Sequence, residues 1–248
     1  MRGTNRGAVG LSLAGVALTM SATWADAATV TGTDGPDTLV GTAEADVIRG
    51  LAGDDVITAR AGDDELFGNQ GGDVLRAGPG ADRLVGGISA DSLFGGSGND
   101  TLRANSSDLA SAGTGDDLVR ISKGHPFVIL GPGNDTAISR AGTDGPIIEG
   151  GRGSDHVVSE SPQIVVRSGS GDDVLEARVG EGFMRGVFGA DTFFIAGSSV
   201  TVFGGAGDDV IHAAGSQRNR IHCGGGFDTV EADALDAVDA DCESVTRS

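Results

Sequence analysis

The 248-residue chain has no tyrosine, one tryptophan and nine phenylalanines, so aromatic residues make up 4% of it. An ordinary globular core cannot be built from so few large side chains; whatever folds must bury small aliphatic residues in a regular stack. Bases are scarce too: 17 Lys and Arg, with Lys123 the single lysine, stand against 36 Asp and Glu, giving a net charge of -19. That balance argues against nucleic acid or anionic membrane as a partner and in favour of cations. The preference for Arg over Lys suggests a GC-rich bacterial genome and says nothing about mechanism. Cysteine occurs twice, at Cys223 and Cys242, with no His or third Cys at ligand spacing to make a zinc site. In an exported chain the two are expected to form a disulfide, closing a loop of about 20 residues and contributing roughly 3 kcal/mol.

The chain has one long apolar stretch. Met1-Arg2-Gly3-Thr4-Asn5-Arg6 precedes an apolar run from Ala8 to about Trp24, and Ala25-Asp26-Ala27 follows. A charged start, a run too short for a span of about 20 residues and an A-x-A site read as a secretory signal peptide over residues 1–27. The mature chain is therefore expected to be extracellular, with no membrane insertion.

What the chain has in abundance is glycine, 44 residues of it, and aspartate at fixed intervals. Fifteen turns end on Asp37, Asp46, Asp55, Asp64, Asp73, Asp82, Asp91, Asp100, Asp117, Asp135, Asp155, Asp173, Asp191, Asp209 and Asp228. The first eight are nine residues apart. Two places before the acid stands glycine in all but the turns with Glu44 and Ser89, which permits positive φ in a tight turn. Two places after it comes an apolar residue, from Leu39 and Ile48 through Phe193 and Ile211 to Val230; on a short strand that side chain points inward while its neighbours point out. After Asp100 the spacing doubles to about eighteen.

If two nonamers make one coil, the acids form two rows on opposite edges. Asp37, Asp55, Asp73 and Asp91 make one row, continued by Asp108 after a one-residue deletion. Asp46, Asp64, Asp82, Asp100 and every later acid down to Asp228 make the other. Beyond Asp108 the first row loses its acid and keeps its inward residue, at Val128, Ile148, Val166, Met184, Val202, Ile221 and Val238. The expected organisation is therefore 1–27 signal peptide, 28–108 with calcium loops on both edges, 109–222 with calcium loops on one edge, and 223–248 a last coil and cap stapled by the disulfide. Ala28 to Thr31 is expected to be a frayed first strand, and the insertion at Thr143-Asp144-Gly145-Pro146 a loop on the metal-free edge. The paired acids Asp54, Asp63, Asp116, Asp172 and Asp208 are expected to face solvent with a minor electrostatic role.

The nonamers, best at 95–103, 204–212 and 50–58, resemble the G-G-x-G-x-D-x-U-x repeat of RTX (haemolysin-type) calcium-binding proteins. The resemblance implies an all-β fold, a right-handed parallel β-roll or β-helix solenoid with two short strands per coil of about 18 residues, whose six-residue turns bind multiple Ca²⁺. All fifteen aspartates above are then candidate metal ligands. Calcium takes about six to eight oxygens, more than one loop supplies, so each ion is expected between acids one coil apart, such as Asp46 with Asp64 or Asp191 with Asp209.

No catalytic or cofactor-binding constellation emerges. His125, His156, His212 and His222 are scattered, the last two are expected on opposite sheets, and no G-x-S-x-G motif is present. The leading reading is a secreted calcium-binding repeat protein, not an enzyme, with a structural or interaction role. One alternative is an extracellular adhesin or matrix protein that contacts polysaccharide or a cell surface. The other is a lyase- or epimerase-like β-helix in which Phe183, Phe188 and Phe194 line a groove.

Overall fold

The structure, a computed structural model, describes residues 27–197, 199–213 and 218–247. The expected leader lies outside the described residues, apart from Ala27. Alternate nonamers go to alternate sheets. One sheet of 13 strands runs from Thr29–Thr31 to Ser244–Arg247, and one of 12 from Thr38–Val40 to Ala237–Val238, with every pairing parallel. The result is a β-solenoid of about twelve coils, without a helix among the described residues.

The alternation that predicts inward residues predicts the core. Ile48, Leu66, Leu84, Leu102 and Val119 lie opposite one another strand to strand and are fully buried. Leu39, Ile57, Leu75, Leu93, Ala110, Val128 and Ile148 form the matching file on the other sheet. Each fully buried Leu or Ile contributes about 1.5–3 kcal/mol over an exposed one, and stacking brings every coil the same contribution from its neighbours. Val238, on the end strand of its sheet with a neighbour on one side only, is partly buried.

Most strands are longer than three residues, the length that two six-residue turns leave to each strand in a coil of about 18. Only Thr29–Thr31, Thr38–Val40 and Val56–Thr58 have that length, whereas Val47–Ala52 has six residues and Gln163–Ser170 eight. The ladder resumes beyond the bend: Phe94 pairs with Ser111, Gly95 and Ala112 are skipped, and Gly96 pairs with Gly113. Gly96 and Gly113 have φ of 124° and 125°, a conformation that turns the chain with its hydrogen bonds intact. A Cβ on Gly113 would strike the Gly96 carbonyl oxygen of the coil below.

The first strand is fixed, not frayed. Thr29–Thr31 pairs in register with Val47–Arg49, and Ala28 N donates to Asp46 Oδ1 at 2.6 Å. At the far end the stapled cap takes the form of one more, shorter coil. Ser244–Arg247 pairs with Thr229–Ala232, and the Cys223–Cys242 disulfide ties that coil to the one beneath.

Candidate metal centres

Each aspartate of the two rows sits at an inward position and is buried apart from Asp37, in the first turn. What orients it is the coil before. The main-chain N–H of Asp37 donates to Asp55 Oδ1, that of Asp55 to Asp73, Asp73 to Asp91, and Asp91 to Asp108, at 2.8–2.9 Å. On the other edge the same bond links Asp46, Asp64, Asp82, Asp100, Asp117, Asp135, Asp155, Asp173, Asp191, Asp209 and Asp228 in order, at 2.7–2.9 Å. The two rows read from sequence are thus two continuous ladders, and Asp108 belongs to the first.

This bond occupies one oxygen of each carboxylate. The second, Oδ2, divides the fifteen candidates into two groups. In Asp55, Asp64, Asp73, Asp82, Asp91, Asp100, Asp117, Asp135, Asp155, Asp173, Asp191, Asp209 and Asp228 it is buried without any hydrogen-bond partner. In Asp37 and Asp46 it is satisfied within its own turn, by the N–H of Thr33 and of Thr42, each at 2.5 Å. Asp108 is closed in the same way by Asn105 N at 2.7 Å. A buried anionic oxygen with no donor is costly. Thirteen of them stand in two files, one coil apart, and each offers a cation a ligand atom that the protein itself leaves unshared.

The protonation equilibria report the same strain. Burial, the largest cause, and the like charges one coil away push the Asp55, Asp64, Asp82, Asp91, Asp117 and Asp209 carboxyls up to about 6. Asp100 and Asp155 rise to about 7, and Asp191 to about 8. Hydrogen bonds from the preceding coil oppose the shift without cancelling it. Oxygen-only, anionic and buried, these groups fit a hard cation such as calcium.

The first row changes character after Asp108. Register places Pro126, Pro146, Ile164, Gly182 and Val200 where the acid would stand, and Ile164 and Val200 are fully buried. Here apolar side chains fill the turn. Hydroxyls hold the neighbouring backbone: Ser139 and Thr143 share a hydrogen bond at 2.8 Å, and Ser161 Oγ donates to the Thr143 carbonyl at 3.0 Å. Asp144 is exposed on the loop, as a turn residue would be. The row then regains polar members that sequence reading missed. Val200 N donates to Asn219 Oδ1 at 3.0 Å and Asn219 N to Asp236 Oδ1 at 2.8 Å. The inward residues Ile221 and Val238, two places later, were the signal that could have found them.

The acids one place before the ladder do more than face solvent. Asp54 Oδ1 accepts the N–H of Gly72, Asp63 that of Ala81, Asp116 that of Asn134, Asp172 that of Ala190 and Asp208 that of Phe227, at 2.7–2.9 Å. They stay exposed as expected, yet form an outer ladder that accepts from the coil after, while the inner ladder accepts from the coil before.

The remaining candidates are not brought together. His212 and His222 lie on opposite sheets, stacked on Phe194 and Phe203 and bonded to Glu231 and Asp239. Phe183 and Phe188 belong to the 12-stranded sheet and Phe194 to the other, so the three do not line a common groove.

Comparison with known proteins agrees with the geometry. The model of the RTX calcium-binding nonapeptide repeat (4 copies) matches residues 31–66, 67–102 and 201–230, and no curated protein matches the chain. The matched spans cover the eight evenly spaced turns, Asp37 to Asp100, and the turns of Asp209 and Asp228, and the unmatched stretch between them holds the coils in which one edge is apolar. The chain is a parallel β-solenoid that carries RTX calcium-binding nonapeptide repeats over residues 31–66, 67–102 and 201–230.

Proposed function

We propose that this is a secreted protein that completes its roll when calcium fills the turns, and that serves as an extracellular structural or interaction element without catalysis. The observation that carries this reading is the set of thirteen buried Oδ2 atoms without a partner. Each ion supplies positive charge between two stacked turns. The chain supplies Oδ2 of acids one coil apart, while Oδ1, held by the preceding coil, keeps the carboxylate aimed. Asp37 and Asp46, whose second oxygen is already bonded, begin the two rows and leave the ligation to Asp55 through Asp228. Loops on both edges up to residue 108 and on one edge thereafter follow from the apolar filling at Ile164 and Val200.

Extracellular calcium modules bind at about 10⁻⁴ to 10⁻³ M, so export would trigger folding. Circular dichroism of the chain during calcium titration tests this: strand signal is expected to grow with calcium. A chain equally folded in excess chelator sinks the proposal.

A second reading, contact with an anionic polysaccharide or cell surface, is favoured by the distribution of arginine. On the outward face of the 13-stranded sheet, Arg49, Arg83, Arg103 and Arg120 project from coils whose acids, apart from Glu65, are kept in the turns. Arg49 and Arg83 lie over the ring of Phe67, 5.0 and 5.1 Å from its centre, and none of the four pairs with a described acid within 4.0 Å. Binding of a uronate polymer in calcium, lost in Arg103→Ala/Arg120→Ala, is the expected result; equal binding by both forms removes this reading.

A further inference from the structure

The second acid ladder does not stop at Asp228. The main-chain N–H of Asp228 donates to Glu243 Oε2 at 2.9 Å, the bond that every earlier member of the row gives to the acid of the next coil. Register explains the coincidence. Val230 pairs with Val245, so Glu243 stands two places before the residue in register with the inward file, the position of the acid in the other coils of this row, although Val245 itself is exposed on the terminal strand. Only 15 residues separate it from Asp228, and no glycine precedes it, so nothing in the nonamer pattern marks it. A glutamate carries one more methylene than aspartate, and the extra reach lets a shortened coil place its carboxylate over the same spot.

We propose that Asp228 and Glu243 form a terminal calcium site, outside the glycine motif, and that the Cys223–Cys242 disulfide holds its upper half in place. The proposal rests on the calcium reading of the ladder. Three independent features support it. Asp228 is fully buried and its Oδ2 has no partner, so the last aspartate of the row keeps a carboxylate oxygen without a donor next to the turn that carries Glu243. Glu243 is exposed and has a second oxygen to give. The upper turn, residues 239–243, has none of the positive-φ glycines that shape the turn below at Gly224 and Gly226, so it is not held by the backbone pattern of its neighbours. A covalent tie is added to its hydrogen bonds. Cys242 immediately precedes Glu243, its partner Cys223 is buried in the coil below, and Asp241 Oδ2 accepts the N–H of Gly224 at 3.0 Å beside them. Without the disulfide, a terminal coil with one neighbour would open easily, and Glu243 would leave with it.

Equilibrium dialysis of the full chain against calcium, with bound ions counted by atomic emission, tests both parts. Glu243→Gln keeps an acceptor for Asp228 N–H and removes the charge; it is expected to bind one calcium fewer than the wild type, and Glu243→Asp to recover part of that loss. Cys223→Ser/Cys242→Ser is expected to lose the same ion, with no further loss when Glu243→Gln is added. Circular dichroism in calcium, unchanged in each variant, shows that the rest of the roll is intact. An unchanged count in Glu243→Gln overturns the site. A loss in Glu243→Gln with none in the cysteine variant leaves the site standing and overturns the role of the disulfide. A wild-type chain that binds no calcium overturns the reading of the whole ladder.

Discussion

Asp135 N donates to Asp155 Oδ1 at 2.9 Å across twenty residues, the same bond that elsewhere spans seventeen, eighteen or nineteen. The extra residues bulge out around Thr143 on the opposite edge, where hydroxyls absorb them. Coil length is therefore free to vary on one edge because the acids fix the other.

Chelation is expected to cost the acidic edges their order. With a ligand at 100 times its dissociation constant contributing about 2.7 kcal/mol per site, removal of several ions exceeds the stability of an ordinary domain. Thermal melting in calcium and in excess chelator is expected to show a folded chain in the first and no cooperative transition at 25 °C or above in the second.

In chelator, acid is expected to restore structure. The folded-state values of Asp100, Asp155 and Asp191 lie at about 7, 7 and 8, above the ordinary carboxyl value of about 4 in an unfolded chain. Raised values mean that the fold binds protons more tightly than the unfolded chain does. Their contribution is fully present below about pH 4 and disappears as pH rises through about 6 to 8. Far-ultraviolet circular dichroism in chelator should therefore show more strand at pH 5 than at pH 8. In calcium the trend reverses, since protons compete with the ion.

Asp191→Asn is expected to act in opposite directions in the two states. The amide keeps an oxygen for Asp173 N–H, and Asn219 already occupies a ladder position in this way. Losing the most strongly raised carboxyl relieves the calcium-free roll, while an N–H₂ group facing the ion weakens the adjoining sites. Midpoints of melting should rise in chelator and fall in calcium; a fall in both would show that the carboxylate has a purely structural role.

Ile164→Ala is the contrasting case. This side chain fills a turn of the apolar edge and is fully buried, so its truncation is expected to cost about 2–5 kcal/mol. Because no acid stands at its position, calcium affinity per site should be unchanged in dialysis against the ion.

The core and the two rows were legible because both depend on which residue stands where. Leu39, Ile48 and the thirteen later inward residues are all buried, as their spacing from the acid requires. What was not legible depends on turn geometry. Nothing in the residue types says that Thr33 and Thr42 close the first two turns on themselves, or that Asp54 and Asp208 reach forward to Gly72 and Phe227. Glu243 escaped because its coil lacks the glycines by which the repeat is recognised, although Val245 lies in phase.

The apolar filling of one edge bears on how such a chain finds its alignment. Up to Asp100 the nonamers are so alike that a slip of nine residues would merely exchange the two sheets, at little energetic cost. Ile164 and Val200 have no such freedom: slipped by nine they would meet the positions of Asp155, Asp173 or Asp191, and carboxylates would fall where aliphatic groups belong. Two isoleucine-like plugs thus set the phase of the whole solenoid, and the half of the molecule with the least regular sequence is the half that tells the regular half where to begin.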